Sequence, residues 1–205
     1  LTHTGKRTEL ARRPEGWVVA SEGNFAADTA AVGTLLRSVR AATFQGIAST
    51  NPENRSKFEV DTTGVQVELS AGGNPVAAFV VGKGGTDFTT SYLRLEGEDA
   101  VRVVRGVNRN MFTRPQGFRD RTILAADPAT LRFLQASGAV AWTLSRSDTG
   151  WVAGGSAEEL AFAAQPVAEQ IVRSVAALNA DGFQDALPDT LDTGLEAPYA
   201  TLDVK

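Results

Sequence analysis

Residues 8–19 read TELARRPEGWVV and residues 142–152 read WTLSRSDTGWV, and the likeness between them governs the reading of the whole chain. Leu10 matches Leu144, Arg12 matches Arg146, and the triplet Gly16-Trp17-Val18 matches Gly150-Trp151-Val152, all at one constant offset. Two further blocks keep the same order and nearly the same offset. LLRSVRAA (35–42) matches IVRSVAAL (171–178), and VQVEL (65–69) matches ATLDV (200–204). A single block of similar apolar pattern arises by chance. Three in register indicate an internal duplication, which has to be read before any other feature of the fold.

Each copy has one local grammar. A strand reaches a turn (Arg13-Pro14-Glu15-Gly16, or Ser147-Asp148-Thr149-Gly150) and a second strand starts at the tryptophan, which is a hairpin pattern. A helix follows. In the first copy Asp28 is placed to cap it, and Val32, Leu35, Leu36 and Val39 recur at helical spacing on one face. In the second copy Pro166 suits the first turn, and Val167, Ile171, Val175 and Leu178 are expected on the buried side. A polar, irregular stretch then leads to the alternating strand at 65–69 or 200–204. Trp17 and Trp151 are expected to pack on the helix of their own copy.

Between the copies lies a meander, with strands expected near 75–81, 91–96 and 100–104 and turns at Gly82-Lys83-Gly84-Gly85 and Gly97-Glu98-Asp99. A short helix near 107–112 and the segment Gly117 to Leu124 lead to a strand at Thr130 to Gln135. The expected class is therefore α+β: two tandem copies of a strand-hairpin/helix/strand unit, with antiparallel sheets each packed by one main helix. The first copy with its meander takes residues 1–124. The second takes 125–205 and is shorter at its C-terminus.

Composition removes several functions. Lys and Arg number 20 against 24 Asp and Glu, with a pI near 5.1, so no excess of positive charge exists to neutralise nucleic-acid phosphates. Cysteine is absent, which removes disulfides, thiolate nucleophiles and zinc–thiolate sites. The single histidine is His3. No apolar run approaches the roughly 18–20 residues of a membrane helix, so direct membrane insertion by these residues is not expected. The chain opens on Leu1 in sequence that reads as ordered. It is therefore read as a mature or excised piece of a parent with an anchor upstream.

The succession GWVV, FAADTAAVGTLLRSV, KFEVDTTGVQVEL, FVVGKGG, SYLRLEGEDAVRVV and FRDRTIL resembles the bacterial family catalogued as domain of unknown function 4340. TGLEAPYATLDV in the second copy is similar to that family's Gly-Leu-acidic-x-Pro element before a strand, whereas the first copy has Phe58-Glu59-Val60 at that place. The resemblance covers essentially the whole chain. It implies a membrane-anchored, extracytoplasmic protein, often encoded beside an ABC-type exporter related to gliding-motility components. It brings no catalytic residues.

No catalytic residue, metal site or cofactor is assigned from the sequence. A nucleophile–histidine pair has only His3 to draw on. Gly82-Lys83 lacks the glycine and the Ser or Thr of a phosphate loop, so it reads as a hairpin turn. The densest charged cluster is Phe118-Arg119-Asp120-Arg121-Thr122. Its guanidinium forks suit an anion or carboxylate, or else tie the connection between copies to backbone carbonyls and to Asp120. Glu158-Glu159 and the set Glu96, Glu98, Asp99 lack the spacing of a metal loop and read as solvated surface. Arg119, Arg121 and Trp142 are the candidate binding residues.

Three functions follow from what the resemblance implies together with this inventory. The first is a non-enzymatic extracytoplasmic module, an accessory to an ABC-type transport system that meets transporter components by edge-strand or surface contact. The second is a ligand-binding domain with a cleft between the two repeats. The third is a hydrolase working with carboxylates alone.

Overall fold

In a computed structural model, which describes residues 1–114, 117–139, 141–155, 165–186 and 193–205, the chain forms two compact units, Leu1–Asp120 and Arg121–Lys205. Both are α+β, built on antiparallel sheets with few helices.

The first unit opens with β1 (Thr2–His3) and β2 (Lys6–Arg7), then forms the expected hairpin of β3 (Leu10–Arg13) and β4 (Gly16–Val19). Arg12 stands opposite Trp17 and Arg13 opposite Gly16, which turns at φ 142°, where side chains are disfavoured. β5 (Phe25–Ala26) adds a third strand. Asp28 caps α1 (Thr29–Ala41) by accepting from the Ala31 N–H at 2.9 Å. Val32 and Leu35 are buried and Val39 packs beside them, while Leu36 stays exposed at the margin of the apolar stripe.

After α1 comes β6 (Thr43–Ser49), where sequence alone suggests irregular chain. TFQGIAS has no clean alternation because β6 is the edge of the sheet and leaves Phe44 and Ile47 in water. Its pairing also shifts register twice, so burial imposes no period of two on it. The meander follows as expected: β7 (Val65–Ala71), β8 (Asn74–Gly84), β9 (Thr90–Leu95) and β10 (Val101–Arg105). The sheet runs β2-β1-β7-β8-β9-β10-β6. Its turn is displaced, however. β8 continues through Gly82-Lys83-Gly84 with an irregular register after Val81, and the chain reverses only beyond Gly84.

One face of this sheet carries the main core. Val65, Val67, Phe79, Val81, Leu93 and Val104 pack there with Val19 and α1, and Trp17 lies against them. The short helix α2 (Arg109–Thr113) adds Phe112. The opposite face carries a small cluster of Val60, Val80 and Val101, with Phe58 and Tyr92 against it.

The second unit contains β11 (Thr122–Ala125), β12 (Phe133–Gly138), β13 (Trp142–Ser147), β14 (Gly150–Gly154), α3 (Gln165–Ala176), β15 (Ala177–Asn179) and β16 (Ala200–Val204). Its sheets run β14-β13-β12-β16 and β11-β15. β11 pairs with β15, so residues 121–124 fall in this unit, whereas the boundary expected from the sequence puts them in the first copy. β12 begins three residues later than expected, because Asp127–Thr130 close a turn first. The face of α3 also differs from expectation. Ala168, Val172 and Ala176 are buried, Ile171 and Val175 pack partly, and Val167 is exposed. Leu178 has left the helix for β15. Small alanines let the helix sit close to the sheet, which outweighs the larger apolar residues beside them. Leu134, Leu144 and Trp151 complete this core.

Strand registers coincide across the two units. Arg146↔Trp151 and Ser147↔Gly150 are the sequence counterparts of Arg12↔Trp17 and Arg13↔Gly16. Ser137↔Thr201 likewise corresponds to Thr2↔Gln66, with the same offset on both strands.

Candidate functional site

The VQVEL alternation that buries Val65 and Val67 turns Gln66 and Glu68 to the other face of the sheet. Pairing then sets two polar rows across three strands. Gln66, Val80 and Arg94 form one, and Glu68, Ala78 and Glu96 the other. Ala78 is a low floor between two carboxylate-bearing strands whose backbones lie roughly 10 Å apart.

Residues 51–64 roof these rows. Asn51 caps a single turn at Pro52–Asn54, a second turn covers Ser56–Phe58, and Glu59 takes a left-handed conformation at φ 55°. The roof lies directly on glycine backbone. A Cβ at Gly82 would stand 2.2 Å from the Phe58 carbonyl oxygen, and one at Gly64 would stand 2.4 Å from that of Glu59. Gly82 is thus a place of close approach, and the strand passes through it without turning. Phe58 and Tyr92 rings meet at 4.5 Å beneath. Arg94 anchors the roof, its Nε donating to the Val60 carbonyl at 3.0 Å and its Nη1 to those of Leu95 and Glu98 at 3.3 Å. Arg55 pairs with Asp99, and Arg109 with Glu59.

Roof and sheet enclose an open cleft of about 330 Å³, whose polar lining includes Arg55, Asp61, Gln66, Glu68, Arg94 and Glu96 beside Ala78 and Val80. The Thr63 hydroxyl and then its N–H donate to Asp61, at 2.7 and 3.0 Å, and hold its carboxyl below the usual 3.8. Arg94 bonds the roof and Arg55 pairs with Asp99, and the three carboxylates supply the acceptors of the cleft. Among the described residues no three acidic or imidazole groups converge as metal ligands would.

Arg119, Arg121 and Trp142 lie elsewhere. Arg119 belongs to the first unit, where its Nε meets Glu22 at 2.6 Å and its guanidinium lies 5.1 Å from the Phe25 ring centre; its side chain is 10% exposed. Arg121 belongs to the second unit and donates from Nε to the Ala180 carbonyl at 2.6 Å. Trp142 stands opposite Ala136 in the β12–β13 pair and packs half-buried against the second core. Glu158-Glu159 lie outside the described residues. Of the other acidic set, Glu98 pairs with Arg102 and Asp99 with Arg55, which leaves Glu96 in the cleft. Glu68 and Arg94 are not singled out by the sequence. The signal available is the alternation itself, which puts polar residues at 66 and 68 on the face away from the core.

No curated protein and no solved structure matches the chain. A family model does, over residues 17–198, nearly the full length. The chain belongs to the family described as Domain of unknown function (DUF4340).

Proposed function

We propose that the chain is a non-enzymatic, extracytoplasmic module made of two copies of one α+β unit, held at the membrane in its parent and serving as an accessory to an ABC-type, gliding-motility-like transport system. The transport part of this reading is what the resemblance to the family implies, and the match over residues 17–198 supports the resemblance. The shared registers of the two Arg-Trp hairpins, Arg12↔Trp17 and Arg146↔Trp151, support the two copies. The non-enzymatic part rests on the inventory of groups. The single histidine, His3, sits in a short strand opposite Lys6, and of the arginines in the cleft Arg94 bonds the Val60 carbonyl and Arg55 pairs with Asp99.

Affinity capture of the membrane-borne parent after mild crosslinking tests the reading. Enrichment of permease or ATPase subunits of an ABC system is the expected result. Capture of the protein with no transport component enriched overturns it.

Ligand binding is the second reading, favoured by the cleft over Ala78. A polar ligand rich in hydroxyl or amine donors suits Asp61, Glu68 and Glu96. Titration with such compounds, read by NMR shifts at those residues and lost in Glu68→Gln, is the corresponding test.

A further inference from the structure

Inside the first unit, Asp28 and Arg114 lie on a groove between α1 and α2 that shares no residue with the cleft over Ala78. The groove holds about 590 Å³, within the range of small-molecule sites. Its apolar wall is Ala30, Ala31 and Leu35 from α1 and Met111 from α2. The two alanines reach no further than a methyl group, which leaves room between the helices. Met111, the single methionine of the chain, adds an adaptable thioether.

The charged pair is held in place but not locked together. Asp28 Oδ1 accepts from the Ala31 N–H at 2.9 Å, and the Asp28 N–H donates to the Phe118 carbonyl at 2.8 Å. The other carboxylate oxygen, Oδ2, meets Arg114 Nη1 and Nη2 at 3.4 and 3.5 Å. Close guanidinium–carboxylate bonds run at about 2.7–2.9 Å, so this contact is a loose one. Arg114 is placed by other means. Its guanidinium lies 5.4 Å from the Phe118 ring centre, its N–H donates to the Asn110 carbonyl at 3.1 Å, and its carbonyl accepts from Gly117 at 2.8 Å. These contacts maintain a backbone angle φ of 25°, which costs a residue other than glycine energy. Asn108 uses its oxygen on the Met111 N–H at 3.2 Å and keeps its NH2 as a donor at the rim.

We propose that this groove binds a small zwitterion with an apolar body: a free α-amino acid carrying a large branched or aromatic side chain. The ammonium sits against Asp28 Oδ2, the carboxylate takes the Arg114 fork with Asn108 beside it, and the side chain lies over Ala31, Leu35 and Met111. Charge complementarity selects the class. A simple anion would meet Asp28 beside Arg114, and a simple cation would meet Arg114 beside Asp28. A ligand with both signs replaces one loose pair by two close ones. Its apolar body removes the alanine and methionine surface from water.

The probes are L-phenylalanine and L-leucine, titrated into the isotope-labelled full chain and followed by NMR. Saturable shifts are expected at Ala30, Ala31, Met111 and the Arg114 side chain. Three analogues should each bind at least tenfold more weakly: 3-phenylpropanoate lacks the amine, phenethylamine lacks the carboxylate, and glycine lacks the apolar body. Asp28→Asn keeps a capping oxygen and removes the charge, so it should erase the preference for phenylalanine over 3-phenylpropanoate. Arg114→Gln should erase the preference over phenethylamine. Ala30→Leu fills the groove from an exposed helix position and should abolish binding at an unchanged melting temperature. The analogue series uses the unaltered chain, so it decides the matter even where a variant unfolds. Absence of saturation, equal binding of the single-charge analogues, or shifts confined to Glu68, Arg94 and Glu96 overturns the proposal.

Discussion

Gln165 grips the backbone of Trp151 by both of its polar groups: Oε1 accepts from the N–H at 2.8 Å, and Nε2 donates to the carbonyl at 2.7 Å. The first residue of α3 is thereby pinned to β14, and the amide completes the hydrogen bonding of a strand residue facing no further strand among the described residues. Gln165→Leu keeps the bulk and leaves both groups of Trp151 without that partner. A loss of about 1–3 kcal/mol is expected, seen as a lower denaturation midpoint of the second unit by tryptophan fluorescence.

Gly82 and Gly46 make a matched pair for testing the roof. Alanine at 82 meets the Phe58 carbonyl at 2.2 Å and a Val60 methyl at 2.8 Å, whereas nothing lies within 4 Å of a Cβ at 46. Gly82→Ala should cost about 2 kcal/mol or more and shift the NMR signals of residues 55–64. Gly46→Ala should be close to neutral. Similar stability for the two variants would show that the roof does not rest on β8 as described.

Arg119 holds Glu22 while its guanidinium lies over Phe25, so charge alone does not account for it. Arg119→Lys keeps the charge but loses the planar fork and the stacking. The lysine variant should lower the melting temperature of the first unit, by an amount equivalent to about 1–2 kcal/mol, and should recover little of the loss seen in Arg119→Ala. Full rescue by lysine would contradict this role.

Asp61 links the cleft to pH. Its folded value lies below the ordinary 3.8 because Thr63 bonds the charged form. The stabilisation is therefore present above the ordinary value and disappears as pH falls through the lower folded one. Thr63→Val removes the hydroxyl donor and should raise the Asp61 midpoint in a carboxyl NMR titration. An unchanged midpoint would mean that the hydroxyl does not govern this carboxylate.

Periodicity makes much of the fold legible. The hairpins at Trp17 and Trp151, the Asp28 cap, the meander and the strands at 65–69 and 200–204 are all local patterns of residue type and spacing. β6 is hidden because an edge strand with bulges and two exposed apolar residues carries no enforced alternation. The face of α3 is hard to read for a related reason: Ala168 and Ala176 say little about burial until the closeness of the sheet is known. The candidate site is less legible than the fold. Glu68, Arg94 and Glu96 come from different strands, and only their pairing through β8 brings them into one cleft.

The sequence by itself determined the α+β class and, through residues spread over 17–198, the family, because spacing and residue type along the chain suffice for both. Tertiary structure decided what each polar or glycine residue is for. Lys83 lies within a strand and not in the hairpin turn that the glycines around it suggest. Arg119 clasps Glu22, a residue far earlier in the chain. Leu202 is exposed where Val67 is covered, although both alternate in the same way, because burial depends on which strand lies alongside, and strand pairing is a long-range contact that local pattern does not encode.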